Sequence, residues 1–231
     1  MDFGGPQLVL GLTWYAAFLF STVLHEAAHA WSAYRLGDPT AYHGGQVTLN
    51  PLPHIRREPF GLVLVPILTF ALSGWMMGWA SAPYDPYWAV RHPRRAAWMS
   101  LAGPAANLLL VIGAGLALRA GLAAGIFGLP TRISFSQLVS ASGGTVGVAT
   151  LLSILFTLNL LLFAFNLLPL PPLDGSGALP LFMSERMALR YRVFLAQPML
   201  ALIGLLIAWQ LIGPVFGPLH ALALRLLYPG L

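Results

Sequence analysis

The sequence contains no cysteine and no lysine, and it has only seven acidic residues. The missing cysteine excludes a scaffold held together by disulfide bonds. Charged residues make up 8% of the 231 positions, whereas soluble domains carry about 25%. This deficit excludes both a soluble enzyme and a disordered chain. Because 58% of the residues are hydrophobic, the composition indicates a membrane protein.

The net charge of +5 comes from twelve arginines that lie in small groups between apolar runs. This arrangement is typical of a chain oriented in a lipid bilayer, and we expect no nucleic-acid partner. The first residues, MDFGGPQ, lack the basic leader of a cleaved signal peptide. The apolar run that follows is therefore expected to remain as a membrane span.

Five segments reach the length of about 20 apolar residues that a helix needs to cross the bilayer. They are residues 8–34, 60–82, 97–118, 146–168 and 194–212. The stretch 214–227 is short and interrupted by proline and glycine, and we predict a separate amphipathic tail helix at the interface. With no repeat or soluble segment in sight, residues 1–231 are expected to form one membrane-embedded domain.

The connection 41–50 has a pattern of its own. A Gly-Gly turn precedes Gln46, Val47, Thr48 and Leu49, which alternate as a short strand does. The segment is predicted to form either a small hairpin or an irregular interfacial loop. The predicted fold class is an all-α polytopic membrane protein with four to six transmembrane helices, a re-entrant segment and a small membrane-associated β-hairpin.

Ionisable residues occur inside the first predicted span, in the run STVLHEAAHAWSAY. His25 and His29 are four positions apart, so on a helix they project from one face with the spacing that a shared zinc ion requires. Glu26 stands beside them, where a carboxylate can reach a water on the metal. Each such group costs about 2.5–3.5 kcal/mol at the centre of a span, so three in one turn need a common cause. A polar helix-packing cluster with a protonated Glu26 is the alternative.

A catalytic zinc with two histidines normally takes one more protein ligand. Six of the seven acids precede the first span, belong to HExxH or lie in loops near arginine, proline or tyrosine. Asp174 instead follows an apolar run and the prolines at 169, 171 and 172, which stop the helix. Such an unwound segment at membrane depth must be buried in protein or line a wet cavity. Asp174 is the favoured third ligand, and a solvated helix-capping carboxylate is the alternative.

Three motifs now stand in order: HEAAHAWSAYRLGDPTA from residue 25, LAGPAANLLL from residue 101 and NLLPLPPLDG from residue 166. Together they resemble the site-2 protease family of intramembrane zinc metalloproteases. The resemblance covers positions 25 to 175, most of the chain. It is that of a minimal member of the family, without PDZ or CBS modules.

The resemblance implies that one Zn²⁺ per chain is bound by His25, His29 and Asp174, with Glu26 as the catalytic glutamate. It also implies that Asn166 holds the substrate backbone near the scissile bond. The family's Gly-Pro-x-x-Asn motif maps onto Gly103, Pro104 and Asn107, for which we expect helix packing beside the site more than chemistry, with Asn107 making an interhelical hydrogen bond.

The zinc ligands must meet at one depth in the membrane, which constrains the topology. His29 and Asp174 each lie near the end of a span, so those two spans must run in the same direction. One of the five segments must then not cross, and the candidate is 60–82, which Pro66 and the Ser73-Gly74 pair can break into a re-entrant hairpin; a full crossing by 60–82 is the alternative. With 60–82 re-entrant, nine of the twelve arginines share one side, and the positive-inside rule makes that side cytoplasmic. We predict an inner-membrane protein with its zinc site nearer the cytoplasm.

The predicted function is hydrolysis of a peptide bond in or next to the transmembrane helix of single-span membrane-protein substrates, with Glu26 as general base. An unwound substrate is expected to pair either with the edge formed by Gln46, Val47, Thr48 and Leu49, by strand addition, or with the proline-rich segment 166–172. Two alternatives remain: a zinc or proton transporter, and a catalytically inactive scaffold that binds membrane proteins.

Overall fold

The computed structural model describes residues 4–195 and 197–229, and the chain is 75% helical. Within these ranges no strand forms, and pairing is limited to two isolated bridges between residues 128 and 140. In chain order the α-helices are α1 (Gly5–Arg35), α2 (Thr40–His43), α3 (Pro51–Arg57), α4 (Val65–Ser73), α5 (Pro86–Arg91), α6 (Pro93–Ala123), α7 (Val146–Asn166), α8 (Asp174–Ala178), α9 (Glu185–Leu195) and α10 (Pro198–Leu227).

Four of the described helices, α1, α6, α7 and α10, are long and apolar enough to cross a membrane. They correspond to four of the five predicted spans and make the chain an integral membrane protein. Helix α7 is the central one: Phe156 and Leu160 pack towards α6 and α10, while Ile154 and Leu158 pack towards α1. Helices α1, α6 and α7 form the bundle that positions the site.

The prediction of a separate tail helix over 214–227 is wrong. Helix α10 runs without a break from Pro198 to Leu227 and contains Pro214 and Pro218 in its interior. A proline has no N–H to donate and its ring clashes with the preceding turn, so helices in water commonly end there, where solvent can satisfy the freed carbonyl groups. In an apolar surrounding the remaining backbone groups can only be satisfied within the helix, so the helix continues.

Residues 60–85 fold back on themselves. A π-helical turn (Phe60–Leu64) leads into α4, Gly74 ends the helix with a φ of +76°, and the chain returns in extended form. Hydrogen bonds join the two arms, among them Met77 N–H to Thr69 Oγ1 (3.0 Å) and Trp79 N–H to Gly61 O (3.2 Å), and the returning arm is also tied to α3 by Arg57 Nε–H to Ser81 O (3.1 Å).

Glycine allows this close approach of the two arms. A Cβ atom on Gly61 would stand 2.2 Å from the Trp79 carbonyl oxygen, and one on Gly78 would stand 2.1 Å from the Gly61 carbonyl oxygen. Because the arms pair along their length, the start and the end of the segment lie at the same end of the hairpin.

The predicted β-hairpin over 41–50 is not present in the described chain. The Asp38 side chain accepts hydrogen bonds from the Thr40 N–H (3.0 Å) and hydroxyl (2.5 Å), which starts the one-turn helix α2. The Gln46 N–H then bonds to the Ala41 carbonyl and closes the turn. Residues 47–49 follow as bends without a partner strand. The structure therefore agrees with the alternative prediction for this segment, an irregular loop.

Candidate active site

Helix α1 carries His25, Glu26 and His29 into the interior of the bundle, where each is only 6–7% exposed. One helical turn separates the two imidazoles, so they lie on one face. Their Nε2 atoms are 3.0 Å apart. The predicted HExxH residues therefore share a buried site at the contact of α1 with α6 and α7.

Asp174 reaches this site from the segment that follows α7. It is the first residue of α8, and its carboxylate oxygens lie 3.1 Å from His25 Nε2 and 3.3 Å from His29 Nε2. Gly175 permits this position, since a Cβ there would stand 2.2 Å from the Leu167 carbonyl oxygen at the end of α7. The structure thus brings together the two histidines and the distant carboxylate that the sequence singled out.

The donor set fits a zinc ion. The Nδ1 atom of His29 lies 2.8 Å from the Met99 carbonyl oxygen. A carbonyl only accepts, so Nδ1 carries the hydrogen and Nε2 presents a lone pair. Asp174 Oδ2 is buried and receives no hydrogen bond from the described residues. The ligand atoms of His25, His29 and Asp174 all lie within 4.8 Å of one another, as two imidazoles and a carboxylate around one metal require.

Helix α6 packs against the two imidazole rings at Gly103, a residue without a side chain. A Cβ on Gly103 would stand 2.3 Å from His29 Nε2 and 2.4 Å from His25 Nε2. Real Cβ atoms do not approach other atoms so closely, so any larger residue at position 103 would collide with both imidazoles. Gly103 therefore allows α6 to pack directly against the two rings.

Two features of α6 at this site were not foreseen from the sequence. Gly103 faces the rings, and the Asn107 Oδ1 lies 2.6 Å from His25 Nδ1. Sequence reasoning placed the Gly-Pro-x-x-Asn motif beside the site as helix packing, and the interhelical hydrogen bond expected of Asn107 is present, to Asn159 at 2.7 Å. It did not predict that Gly103 and Asn107 contact the imidazoles themselves.

Among the described residues, none of the polar contacts of the histidine–aspartate cluster involves the predicted substrate-binding residues. Asn166 is the half-buried last residue of α7. Gln46 is 3% exposed, and the next residues border an apolar cavity of about 270 Å³ against α1. That cavity is lined by Leu24, Ala27, Ala28, Trp31, Val47, Thr48 and Leu49. Among the described residues, the main-chain N–H groups of 47–49 make no hydrogen bond.

A bundle of apolar spans with a buried histidine–carboxylate cluster defines an integral membrane protein of the HExxH metal-site class. The chain belongs to peptidase family M50, whose family model matches residues 13–210. No solved structure matches it.

The relatives carry names that agree with this family. The chain is 37% identical over 171 residues to a Bacillus subtilis (strain 168) protein named "Putative zinc metalloprotease YwhC", covering 74% of this chain and 66% of that one. It is 34% identical over 164 residues to the Rip2 protein of Mycolicibacterium smegmatis, which has the same description, covering 71% and 54%. The chain spans between about half and two thirds of the length of these relatives.

Proposed function

We propose that this protein is a zinc metalloprotease that hydrolyses peptide bonds in or next to the transmembrane helices of single-span membrane proteins. The observation that carries the proposal is the meeting of His25, His29 and Asp174 beside Glu26 within a bundle of apolar spans. Membership of peptidase family M50 supports it.

In this proposal His25, His29 and Asp174 hold one Zn²⁺ ion, which when bound supplies Lewis-acid polarisation of the scissile carbonyl and acidification of a water molecule. Glu26 accepts a proton from the attacking water. The hydroxyl adds to the carbonyl carbon, the C–N bond breaks, and Glu26 passes the proton to the leaving amine.

The substrate has to be extended where it is cut, because a helical peptide bond is shielded by its own hydrogen bonds. Asn166 is proposed to bind the substrate backbone, since its amide offers both a donor and an acceptor at the point where α7 gives way to the segment leading to Asp174. Helix-breaking residues in the substrate are expected to favour cleavage.

The loop 46–49 is proposed as a second contact for the extended substrate. It is not a strand in the free protein, but its N–H groups at 47–49 are unpaired in the described chain, and Val47 and Thr48 border the apolar cavity against α1. An extended peptide can bond to such a main-chain edge while an apolar side chain enters the cavity. The position of Gln46 immediately before this edge supports its inclusion in the contact.

Val47→Pro is expected to lower kcat/KM for a single-span substrate about 3- to 10-fold, the equivalent of one main-chain hydrogen bond at about 1 kcal/mol. Proline removes the N–H, and this N–H has no partner within the described chain, so no internal bond is lost. Zinc content should remain at one ion per chain. The control is Val47→Ala, which keeps the N–H; unchanged cleavage by Val47→Pro would dismiss the edge.

The folded-back segment 60–85 is proposed to be re-entrant, dipping into the membrane and returning to the side that carries nine of the twelve arginines. Its two paired arms and the contact of Arg57 with Ser81 support this placement. Helix α4 with its leading turn is too short to be counted among the four spanning helices. The side with nine arginines is proposed to be the cytoplasmic face of the cell membrane.

Single-cysteine labelling tests this topology directly, because the natural chain has no cysteine. In oriented vesicles, an impermeant maleimide should label Ser81→Cys from the same side as Ser184→Cys. Ser142→Cys, in the loop between α6 and α7, should react from the opposite side. Labelling of Ser81→Cys from the side of Ser142→Cys would mean that residues 60–82 cross the membrane.

The function itself is tested with the purified protein and a single-span test substrate. We expect about one zinc ion per chain, cleavage inside or beside the substrate helix, and loss of cleavage on chelation with recovery when zinc is restored. Bound zinc without cleavage of any single-span protein tested, together with zinc uptake into proteoliposomes, would favour a transporter. Bound partners without cleavage would favour a scaffold.

A further inference from the structure

Three polar side chains connect α6, α7 and α1 in the interior of the bundle. Asn107, Asn159 and Ser21 are completely buried. The Asn107 Nδ2 donates to Asn159 Oδ1 at 2.7 Å, and the Asn159 Nδ2 donates to Ser21 Oγ and to the Leu155 carbonyl oxygen, both at 2.8 Å. The other end of this row reaches His25, whose Nδ1 lies 2.6 Å from Asn107 Oδ1.

The direction of every hydrogen bond in this row is fixed from one end. The Leu155 carbonyl can only accept, so the Asn159 amide must turn its NH₂ group towards it and its oxygen towards Asn107. Asn107 then has to donate with its NH₂ group, which leaves its Oδ1 facing His25. An amide oxygen also only accepts, so the hydrogen of a neutral His25 ring is held on Nδ1.

We propose that Asn107, oriented by Asn159, is a positioning residue that fixes the Nδ1–H tautomer of His25 and keeps its Nε2 lone pair directed at the metal. The Met99 carbonyl fixes the tautomer of His29 in the same way, by accepting a hydrogen bond from its Nδ1–H. The inference rests on the proposed zinc site. It explains why a completely buried pair of amides lies between three spans at the height of the histidines.

The competing reading is that Asn107 only joins helices. The two readings predict opposite orders for two substitutions. If Asn107 serves packing, the apolar and similarly sized Leu should be tolerated and a buried Asp should not. If Asn107 positions His25, Asp should be impaired less than Leu, because one carboxylate oxygen still accepts the Nδ1–H although the other loses the hydrogen bond to Asn159 Oδ1, whereas Leu leaves the ring without an acceptor.

The test measures zinc affinity by chelator competition in full-length Asn107→Leu and Asn107→Asp, with the visible spectrum of the cobalt-substituted protein as a second readout. Loss of an outer-shell partner typically costs about 10- to 100-fold in metal affinity. We expect that loss and an altered cobalt spectrum for Asn107→Leu, and a smaller loss with a spectrum closer to that of the natural protein for Asn107→Asp.

Two α7 variants serve as a matched pair. Asn159→Leu frees the Asn107 amide and should weaken zinc binding to an intermediate degree. Ser153→Ala removes an equally buried side chain that bonds to Leu138 N and Ala149 O, outside the row, and should leave zinc binding unchanged. This pair also decides the matter if Asn107→Leu does not fold.

The proposal is overturned if Asn107→Leu binds zinc as the natural protein does, if Asn107→Asp is as impaired as Asn107→Leu, or if Asn159→Leu and Ser153→Ala behave alike. Failure of the proposed function is a different result, since the unmodified protein would then bind no zinc or cleave nothing.

Discussion

Glu26→Gln is expected to abolish measurable proteolysis while one zinc ion per chain remains bound. The glutamine amide has nearly the shape of the carboxylate but cannot accept and return a proton, and general acid–base catalysis contributes about 100- to 10,000-fold to rate. Zinc should be retained because the proposed ligands are His25, His29 and Asp174, which lie together without Glu26. Cleavage rate and metal content are measured on the same preparation.

Two outcomes would contradict this role for Glu26. Cleavage close to the natural rate would mean that another group moves the proton. Loss of zinc together with activity would mean that Glu26 binds or supports the metal directly. Asp174→Asn is the comparison variant, because it changes a carboxylate of the cluster and is expected to weaken zinc binding, which Glu26→Gln is not.

The spanning helices were predictable because a bilayer imposes a local rule. A helix that crosses the bilayer needs about 20 consecutive, mostly apolar residues, and such a run can be counted directly in the sequence. The continuous path of α10 through two prolines was not predictable by the same means. Proline signals are calibrated on helices in water, whereas the end of α10 depends on what surrounds it.

The conformations of the folded-back segment 60–85 and of the loop 41–50 could not be predicted fully from the sequence pattern. Pro66 and Gly74 indicated a break, but the return of the chain depends on the approach of Gly61 and Gly78, which are far apart in sequence. In the loop, four alternating residues suggested a strand, whereas the structure has local hydrogen bonds from Thr40 to the Asp38 side chain and from the Gln46 N–H to the Ala41 carbonyl. These local bonds outweighed a short alternation.

For the candidate site, the HExxH spacing is local and was readable directly, whereas Asp174 was singled out because so few acids exist and by the resemblance. All three side chains lie together in the structure, and their role as zinc ligands stays a prediction. The resemblance indicated that the α6 motif lies beside the site, but its direct contact with the rings was not predictable, because the rotation of one helix against another is set by packing along the whole bundle. Gly103 is the residue where this matters most.

Gly103→Ala is expected to displace zinc and to lower proteolysis more than about 100-fold, beyond the usual loss for a change outside the ligand set. The new methyl group would stand 2.3 Å from His29 Nε2 and 2.4 Å from His25 Nε2, nearer than real Cβ contacts allow. The rings would have to turn away, which breaks the hydrogen bonds that hold their Nδ1 atoms. Alanine is a better helix former than glycine, so α6 itself should not be weakened.

Gly113→Ala is the matched control for this prediction, because it makes the same change in the same helix and its new Cβ would meet nothing within 4 Å. Zinc content and cleavage should match the natural protein there, and the thermal unfolding temperatures of both variants show that each is folded. Full zinc occupancy in folded Gly103→Ala would mean that α6 can shift away from the rings without weakening zinc binding. The close contact of Gly103 with the two nitrogens would then not be the reason that this position requires glycine.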